Sequence, residues 1–280
     1  MSYRIVVDSC CDLPEYLEKD EHIVKVALTI HLDNTDIVDD ETFNQLECIK
    51  AIAKSSNPPK TSCPSPGAYL EAYGGEPSDI YVVTLSEQLS GSYNSAIVGM
   101  NMFYEENGKT KNIHVFNSCS ACCGEAQIAR RIKELADKGK TFEEIVPEIE
   151  DFRYELNTFF VIETLETLRK NGRLSNLQAL IANVLNIKPV MGANKEGQIC
   201  KLDQARGIEK SLNKMIDIVI KKTINAENKI LMITECNCRD RAEYVKNKLA
   251  ELGKFKDILI VKAGGISTVY ANDGGIVVVV

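Results

Sequence analysis

Residues 89–96 (LSGSYNSA) form a turn of hydroxyl-bearing residues whose composition suits an anion. The apolar run at residues 80–85 predicts a buried strand before this turn, and residues 96–104 predict a helix after it. Unpaired backbone N–H groups at a helix start, together with the hydroxyls of Ser90 and Ser92 around Gly91, could hold a carboxylate or a phosphate. The same serines could instead simply cap the helix.

Similar polar turns follow other predicted strands or lie on adjacent loops. They contain Asp8-Ser9, Thr61-Ser62 and Asn117-Ser118. The carboxyl ends of parallel strands meet at one edge of a sheet, and ligands gather there. This recurrence supports an anion site as strongly as it supports plain helix capping.

These turns are also compatible with two other chemistries. A hydrolase or acyltransferase could use Ser90 or Ser92 as its nucleophile, but a serine nucleophile needs a base, usually histidine. The chain has three histidines, and none lies in a recognisable serine-partner context, although His114 in the predicted strand 113–116 stays open. A binder of phosphate ligands also stays open, and a polar pocket rather than an apolar tunnel would indicate it.

Nucleotide and metal sites find little support. The Gly-Lys-Thr triplets at 108–110 and 139–141 lack the upstream glycine of a P-loop, and there is no G-x-G-x-x-G fingerprint. The cysteine clusters 119–123 and 236–238 could suggest zinc, but the spacing of the second cluster is atypical, the two lie far apart in the sequence, and no histidine lies beside either. We therefore expect no cofactor and no metal, and buried thiols rather than disulfides.

Composition narrows the class of partner. The net charge is −7 and the sequence pI about 5.2, with scattered basic residues, so we expect no nucleic-acid partner. No apolar run approaches the roughly 18 to 20 residues that span a bilayer, so membrane contact should be at most transient. The N-terminus lacks the pattern of a signal peptide, which predicts a cytoplasmic protein.

The predicted elements define an α/β protein with two domains. In residues 1–157, strands at 4–7, 23–32, 80–85 and 113–116 alternate with helices, which predicts a parallel, Rossmann-like sheet flanked by helices. Residues 158–280 predict a mixed sheet with its own helices. Its predicted strands are 158–162, 229–234, 257–261 and 275–280, with a hairpin at 187–191 and 198–202 and helices at 175–185 and 239–252.

Four segments in this order resemble the DegV family of bacterial fatty-acid-binding proteins. They are residues 6–14 (VVDSCCDLP), 60–67 (KTSCPSPG), the turn 89–96, and 168–175 (LRKNGRLS). Cys63 stands where the family more often has glutamine, and Ser92 replaces threonine without loss of the hydroxyl. The resemblance covers essentially the whole chain.

The resemblance implies a protein that buries one long-chain fatty acid between its domains. Its carboxylate would be held by Thr61 and Ser62 and by the Ser90-Gly91-Ser92 turn, and burial of the tail would contribute about 0.8 kcal/mol per CH₂. The family also implies presentation of the acid to a separate fatty acid kinase subunit that binds ATP. Such a chain is a carrier without catalytic residues of its own.

Two further positions carry expectations from the resemblance. Arg173, in the Gly-Arg segment, would neutralise the acid or dock the partner, or it could be an exposed arginine at a helix start. Tyr270 and Glu235 stand where family members often have histidine. A tyrosine can donate a hydrogen bond but supplies no cation near neutral pH, so ligand binding is better supported than the kinase partnership. Tyr270 could also be a half-buried residue at a domain contact.

Overall fold

The computed structural model describes residues 2–174 and 186–280, so the helix predicted at 175–185 lies outside the described residues. In chain order the strands are β1 Tyr3–Asp8, β2 Ile23–Val26, β3 Thr29–Leu32, β4 Thr35–Val38, β5 Lys60–Ser62, β6 Asp79–Thr84, β7 Asn112–Asn117, β8 Thr158–Val161, β9 Ile187–Ala193, β10 Ile199–Arg206, β11 Ile230–Glu235, β12 Asp257–Lys262 and β13 Ile276–Val279. The helices are α1 Glu15–Glu18, α2 Gln45–Lys54, α3 Pro66–Ala72, α4 Ser92–Asn107, α5 Cys123–Asp137, α6 Phe142–Glu155, α7 Glu166–Lys170, α8 Ile208–Lys222, α9 Arg239–Leu252 and α10 Gly265–Ala271.

The first sheet is parallel, in the order β2-β1-β6-β7. Every residue of β6 is buried and β1 is nearly so, because helices cover both faces of a parallel sheet and its central strands must be continuously apolar. The predicted Rossmann-like sheet is confirmed. Its carboxyl edge carries Asp8, the serine turn 89–96 and Asn117.

The second sheet has six strands in the order β10-β9-β8-β13-β11-β12. Only the β11–β12 pair is parallel within this sheet, and the remaining pairs are antiparallel. The predicted mixed sheet is therefore confirmed. The hairpin β9–β10 is longer than predicted, and α8 was not predicted at all.

A small antiparallel sheet, β4-β3-β5, was also not predicted. The prediction of one strand over residues 23–32 is wrong, because the chain leaves the parallel sheet after β2 and enters this sheet as β3. The break occurs at Leu28, whose N–H donates to Ser9 Oγ (3.0 Å) and whose carbonyl accepts from Asp39 N (2.9 Å). These long-range hydrogen bonds are invisible in a local sequence pattern.

The core joins the two large sheets through α5. Buried residues of β1, β6, α5, β11 and β13 form one continuous apolar cluster, with Ile128 and Ile132 of α5 fully buried. Helix α5 contacts strands of both sheets, so it is a shared layer between them. The strands up to β7 and those from β8 onward thus belong to different sheets, and the domain boundary near residue 157 stays a prediction.

Candidate functional site

An apolar cavity lies among the turns of the first sheet, strands of the second sheet and α10. The space between its lining atoms, counted together with the part that is open solvent, amounts to about 760 Å³. Most of its wall is hydrocarbon, including Leu85, Leu89, Phe160, Leu168, Ile266 and Val277. Such a wall favours an apolar ligand, because it offers few hydrogen-bond partners.

Arg173 and Tyr270 give the cavity a polar rim. Both side chains line the cavity and are partly exposed. The Arg173 guanidinium lies 6.0 Å from the centre of the Tyr270 ring, and its Nε donates to the Leu89 carbonyl at 3.0 Å. Three elements therefore meet at this rim: the serine turn, α10 and the segment after α7. The structure brings two of the predicted site residues together here.

Thr61 belongs to the same cluster, whereas its neighbour Ser62 does not. Thr61 Oγ1 and Tyr270 Oη are hydrogen-bonded at 2.8 Å. Ser62 is exposed, and its Oγ lies 2.9 Å from His31 Nε2. Successive side chains of a strand point to opposite faces, so Thr61 and Ser62 of β5 cannot both face Tyr270.

The serine turn caps the helix that follows it. Gly91 is the N-cap of α4 and makes no side-chain cap bond, but Ser90 Oγ accepts from the N–H of Ser92, the first residue of α4, at 3.2 Å. Ser90 Oγ is also hydrogen-bonded to Ser92 Oγ at 3.1 Å. The capping alternative therefore holds for Ser90, and an anion at this turn stays a prediction. A side chain at Gly91 would lie 3.1 Å from Cys63 Sγ, so the glycine lets this turn approach the 61–65 loop.

Ser92 faces inward, where it meets Asp8. Ser92 is fully buried, and its hydroxyl is one of the groups that stabilise the Asp8 carboxylate. Burial raises the pKa of Asp8 to about 6, although two backbone N–H groups oppose this shift. Sequence reasoning placed Asp8 in a polar turn but gave it no role. Its position directly after an apolar strand was the available signal.

Histidine contacts bear on the hydrolase alternative. His114 Nε2 lies 3.1 Å from Glu150, and the hydrogen bonds described for Ser90 and Ser92 include no histidine. The expectation that no histidine has a serine partner is wrong for His31, which bonds Ser62 and also Asp36 (2.6 Å). Asp36 is 71% exposed there, whereas the aspartate of a catalytic triad is buried.

The cysteines and the helices add two observations. All ten cysteines are free thiols, and within residues 2–174 and 186–280 neither predicted cluster brings three potential ligand atoms within 4.8 Å of one another. None of the described helices combines the length and the apolar character that crossing a bilayer requires.

The fold and the site define an α/β protein with two large sheets and one small sheet, whose apolar cavity opens at a rim of hydroxyls and one arginine. A family model described as "Uncharacterised protein, DegV family" matches residues 2–280. A DegV domain-containing protein of Streptococcus pneumoniae is 32% identical over 281 residues, which cover 99% of this chain and 98% of that protein. The chain belongs to the DegV family.

Solved structures of similar proteins hold fatty acids. A DegV family protein from Ruminococcus gnavus, refined with vaccenic acid, is 48% identical with a TM-score of 0.97, and the match covers 100% of both chains. One from Eubacterium eligens, loaded with heptadecanoic acid, is 28% identical with a TM-score of 0.90 over 99% of both chains. The Fatty Acid Kinase (Fak) B3 protein of Streptococcus pneumoniae, loaded with linoleic acid, is 30% identical with a TM-score of 0.91, over 100% of this chain and 99% of that one.

Proposed function

We propose that this protein binds one long-chain fatty acid, with the acyl tail in the apolar cavity and the carboxylate at the rim. The observation that carries this proposal is the apolar cavity with Arg173 and Tyr270 on its wall. A hydrocarbon wall that ends in a cation and hydroxyls matches an amphiphilic acid better than a sugar phosphate, which needs polar groups throughout. The fatty acids held by similar proteins support the same ligand class.

The carboxylate needs several donors, because it loses its hydration when it enters the cavity. We assign this role to Arg173, Thr61, Tyr270 and Ser90. Thr61 and Tyr270 form a hydrogen-bonded pair at 2.8 Å, and each of these hydroxyls has one proton to donate. Only one proton is needed between the two oxygens, which leaves the other for the ligand.

The remaining predicted residues take indirect roles. We assign to Ser92 the support of Ser90, since Ser92 is buried against Asp8 and its Oγ is hydrogen-bonded to Ser90 Oγ. Gly91 permits the close packing of this turn on Cys63. Ser62 faces His31 on the opposite side of β5, so we do not assign it to the carboxylate.

We propose that the chain is a cytoplasmic carrier rather than a catalyst, and that it presents its acid to a separate kinase subunit. The similarity to the Fatty Acid Kinase B3 protein supports this partnership. Tyr270 supplies no cation near neutral pH, so Arg173 is the rim group that would face a phosphoryl group. Mixing the loaded protein with a fatty acid kinase subunit and ATP tests the role. Acyl phosphate formation that requires both proteins is expected, and formation by this chain alone would contradict it.

A titration of delipidated protein tests the ligand class. Calorimetry with oleic acid should show binding at one site, whereas oleyl alcohol should bind more weakly because it carries no charge for Arg173. Glucose 6-phosphate serves as the phosphate ligand without a tail, and we expect no binding. Tight binding of the sugar phosphate and none of oleic acid would favour the phosphate-ligand alternative.

A further inference from the structure

Two buried acidic side chains, Asp8 and Glu125, lie behind the serine turn. Asp8 ends β1, Glu125 lies in the first turn of α5, and both are fully buried. One carboxylate oxygen of each lies within 4.8 Å of the other, and the Cys10 sulfur lies within the same distance of both. Burial and a neighbouring like charge both disfavour an ionised carboxylate. The two groups therefore cannot both carry a charge at modest cost.

The hydrogen bonds distinguish the two carboxyl groups. Asp8 Oδ1 accepts from Cys10 N at 3.0 Å, and Asp8 Oδ2 accepts from Leu85 N at 2.9 Å. Both oxygens of Glu125 lack a hydrogen-bond donor. Donors favour the ionised form, whereas burial without donors favours the neutral acid. Asp8 is thus the anion of the pair, and Glu125 is the acid.

The surroundings of the pair agree with this assignment. Burial is the main cause that raises the pKa of Glu125 well above its usual value, and the Asp8 charge adds to it. Lys25 of β2 acts on the neighbouring thiol of Cys11 and is paired with Glu18 at 2.9 Å. The other titratable groups that act on the pair and its neighbours come from α3, from the loop after β1 and from the residue before α5: Tyr69, Cys10, Cys11, Asp12 and Cys122.

We propose that Glu125 is a positioning residue that donates a hydrogen bond from its neutral carboxyl group to the Asp8 carboxylate. The shared proton holds Asp8 where it anchors two turns of the cavity wall, since Leu85 and Cys10 both line the cavity. Asp8 also meets the hydroxyl of Ser92, which supports Ser90 at the rim. The consequence for ligand affinity rests on the proposed function, whereas the shared proton does not.

The pair makes stability depend on pH in a defined direction. In the unfolded chain Glu125 ionises near its ordinary pKa of about 4.3, but in the folded protein it keeps its proton to a higher pH. Above that unfolded pKa, unfolding releases this proton, so the contribution of Glu125 to stability is lost progressively as the pH rises. The loss continues until Glu125 also ionises in the folded state.

Three variants separate a proton-sharing role from a general packing role. Glu125→Gln replaces the O–H donor with an amide N–H donor that does not titrate, and Glu125→Leu removes the donor. Glu143→Gln makes the same side-chain substitution at an exposed position. We would measure urea unfolding from pH 6.5 to 8, above the pKa of about 6 to which burial raises Asp8. We would also measure the infrared band of protonated carboxyl groups, hydrogen exchange over residues 85–92, and oleic acid affinity.

The expected results are specific to each variant. The unfolding equilibrium constant of the wild type should rise by up to about tenfold per pH unit relative to Glu125→Gln, which corresponds to one proton. The infrared band should lose its Glu125 component in Glu125→Gln and keep it in Glu143→Gln. Burial raises the pKa of Asp12 to about 7, so Asp12 contributes to the band in every variant. Residues 85–92 should exchange faster in Glu125→Leu but not in Glu125→Gln. The affinity for oleic acid should fall about five- to tenfold in Glu125→Leu and should be unchanged in Glu125→Gln.

Several results would overturn the proposal. Equal pH slopes for the wild type and Glu125→Gln would mean that Glu125 holds no proton. Unchanged hydrogen exchange over residues 85–92 in a folded Glu125→Leu protein would contradict the positioning role. If the wild-type protein contains one equivalent of bound metal and Glu125→Gln contains none, then a metal ion rather than a proton lies between the two carboxyl groups. If no form binds oleic acid while the slopes, band and exchange follow the expectation, the proposed function fails and the positioning role stands.

Discussion

Replacement of Arg173 probes the rim of the cavity most sharply. Its guanidinium lines the cavity, lies 6.0 Å from the Tyr270 ring and donates from Nε to the Leu89 carbonyl. Hydrogen bonds to charged groups contribute about 1.5 to 3 kcal/mol. Since 1.4 kcal/mol is a factor of about ten in Kd, Arg173→Ala should weaken binding of oleic acid by about 10- to 150-fold. Partial exposure of Arg173 favours the lower half of that range.

Two ligands and two further variants isolate the charge. Arg173→Ala should lose much affinity for oleic acid and little affinity for oleyl alcohol. Calorimetry on delipidated protein measures both affinities directly. Arg173→Lys keeps the charge but not the planar donor group, so it should lie between alanine and the wild type. Arg169→Ala is the matched control, because Arg169 lies on α7 nearby and is paired with Glu166. Equal losses for acid and alcohol would refute the charge role of Arg173.

Two further predictions concern the elements that hold the cavity. Gly197 has φ +83°, and a Cβ there would lie 2.3 Å from Ser86 Oγ, so Gly197→Ala should lower the free energy of unfolding by about 2 to 4 kcal/mol in urea denaturation. Gly139 has φ +78° and open space around it, so Gly139→Ala should lower the free energy of unfolding by only about 1 to 2 kcal/mol. Equal losses of stability in the two variants would exclude the clash at Gly197. Asp39 accepts two N–H bonds from the start of α10, so Asp39→Asn should lose about 1 to 3 kcal/mol of stability and weaken oleic acid binding. Asp217→Asn is the control, because Asp217 lies on the exposed face of α8. An unchanged affinity for oleic acid in Asp39→Asn would mean that the position of α10 does not depend on Asp39.

The large sheets could be predicted because their strands are continuous apolar runs. The residues of β6 and β13 are buried throughout, and polar turns separate them from helices. The break at Leu28 could not be predicted, since it depends on bonds to Ser9 and Asp39. Helix α8 was missed although its buried residues follow a helical spacing, at Leu212, Met215, Ile216 and Val219.

Motifs identify candidate site residues but not the directions in which their side chains point. Arg173 and Thr61 both lie against Tyr270 in the structure, and their role in holding a ligand stays a prediction. Ser62 and Ser92 carry the same hydroxyl chemistry, yet one faces His31 and the other faces Asp8. Strand alternation and the tertiary packing of a helix start set those directions. The contact of Asp8 with α5 likewise joins residues far apart in the chain, so no local pattern reveals it.

Native mass spectrometry of the protein purified from cells tests the fatty-acid assignment most directly. We predict a retained mass that matches one long-chain fatty acid per chain. Ala193 lines the cavity at the end of β9, so Ala193→Phe should fill the space of the tail and abolish that mass in a folded protein. A wild-type protein that stays empty, and that takes up neither oleic nor palmitic acid in solution, would contradict the account.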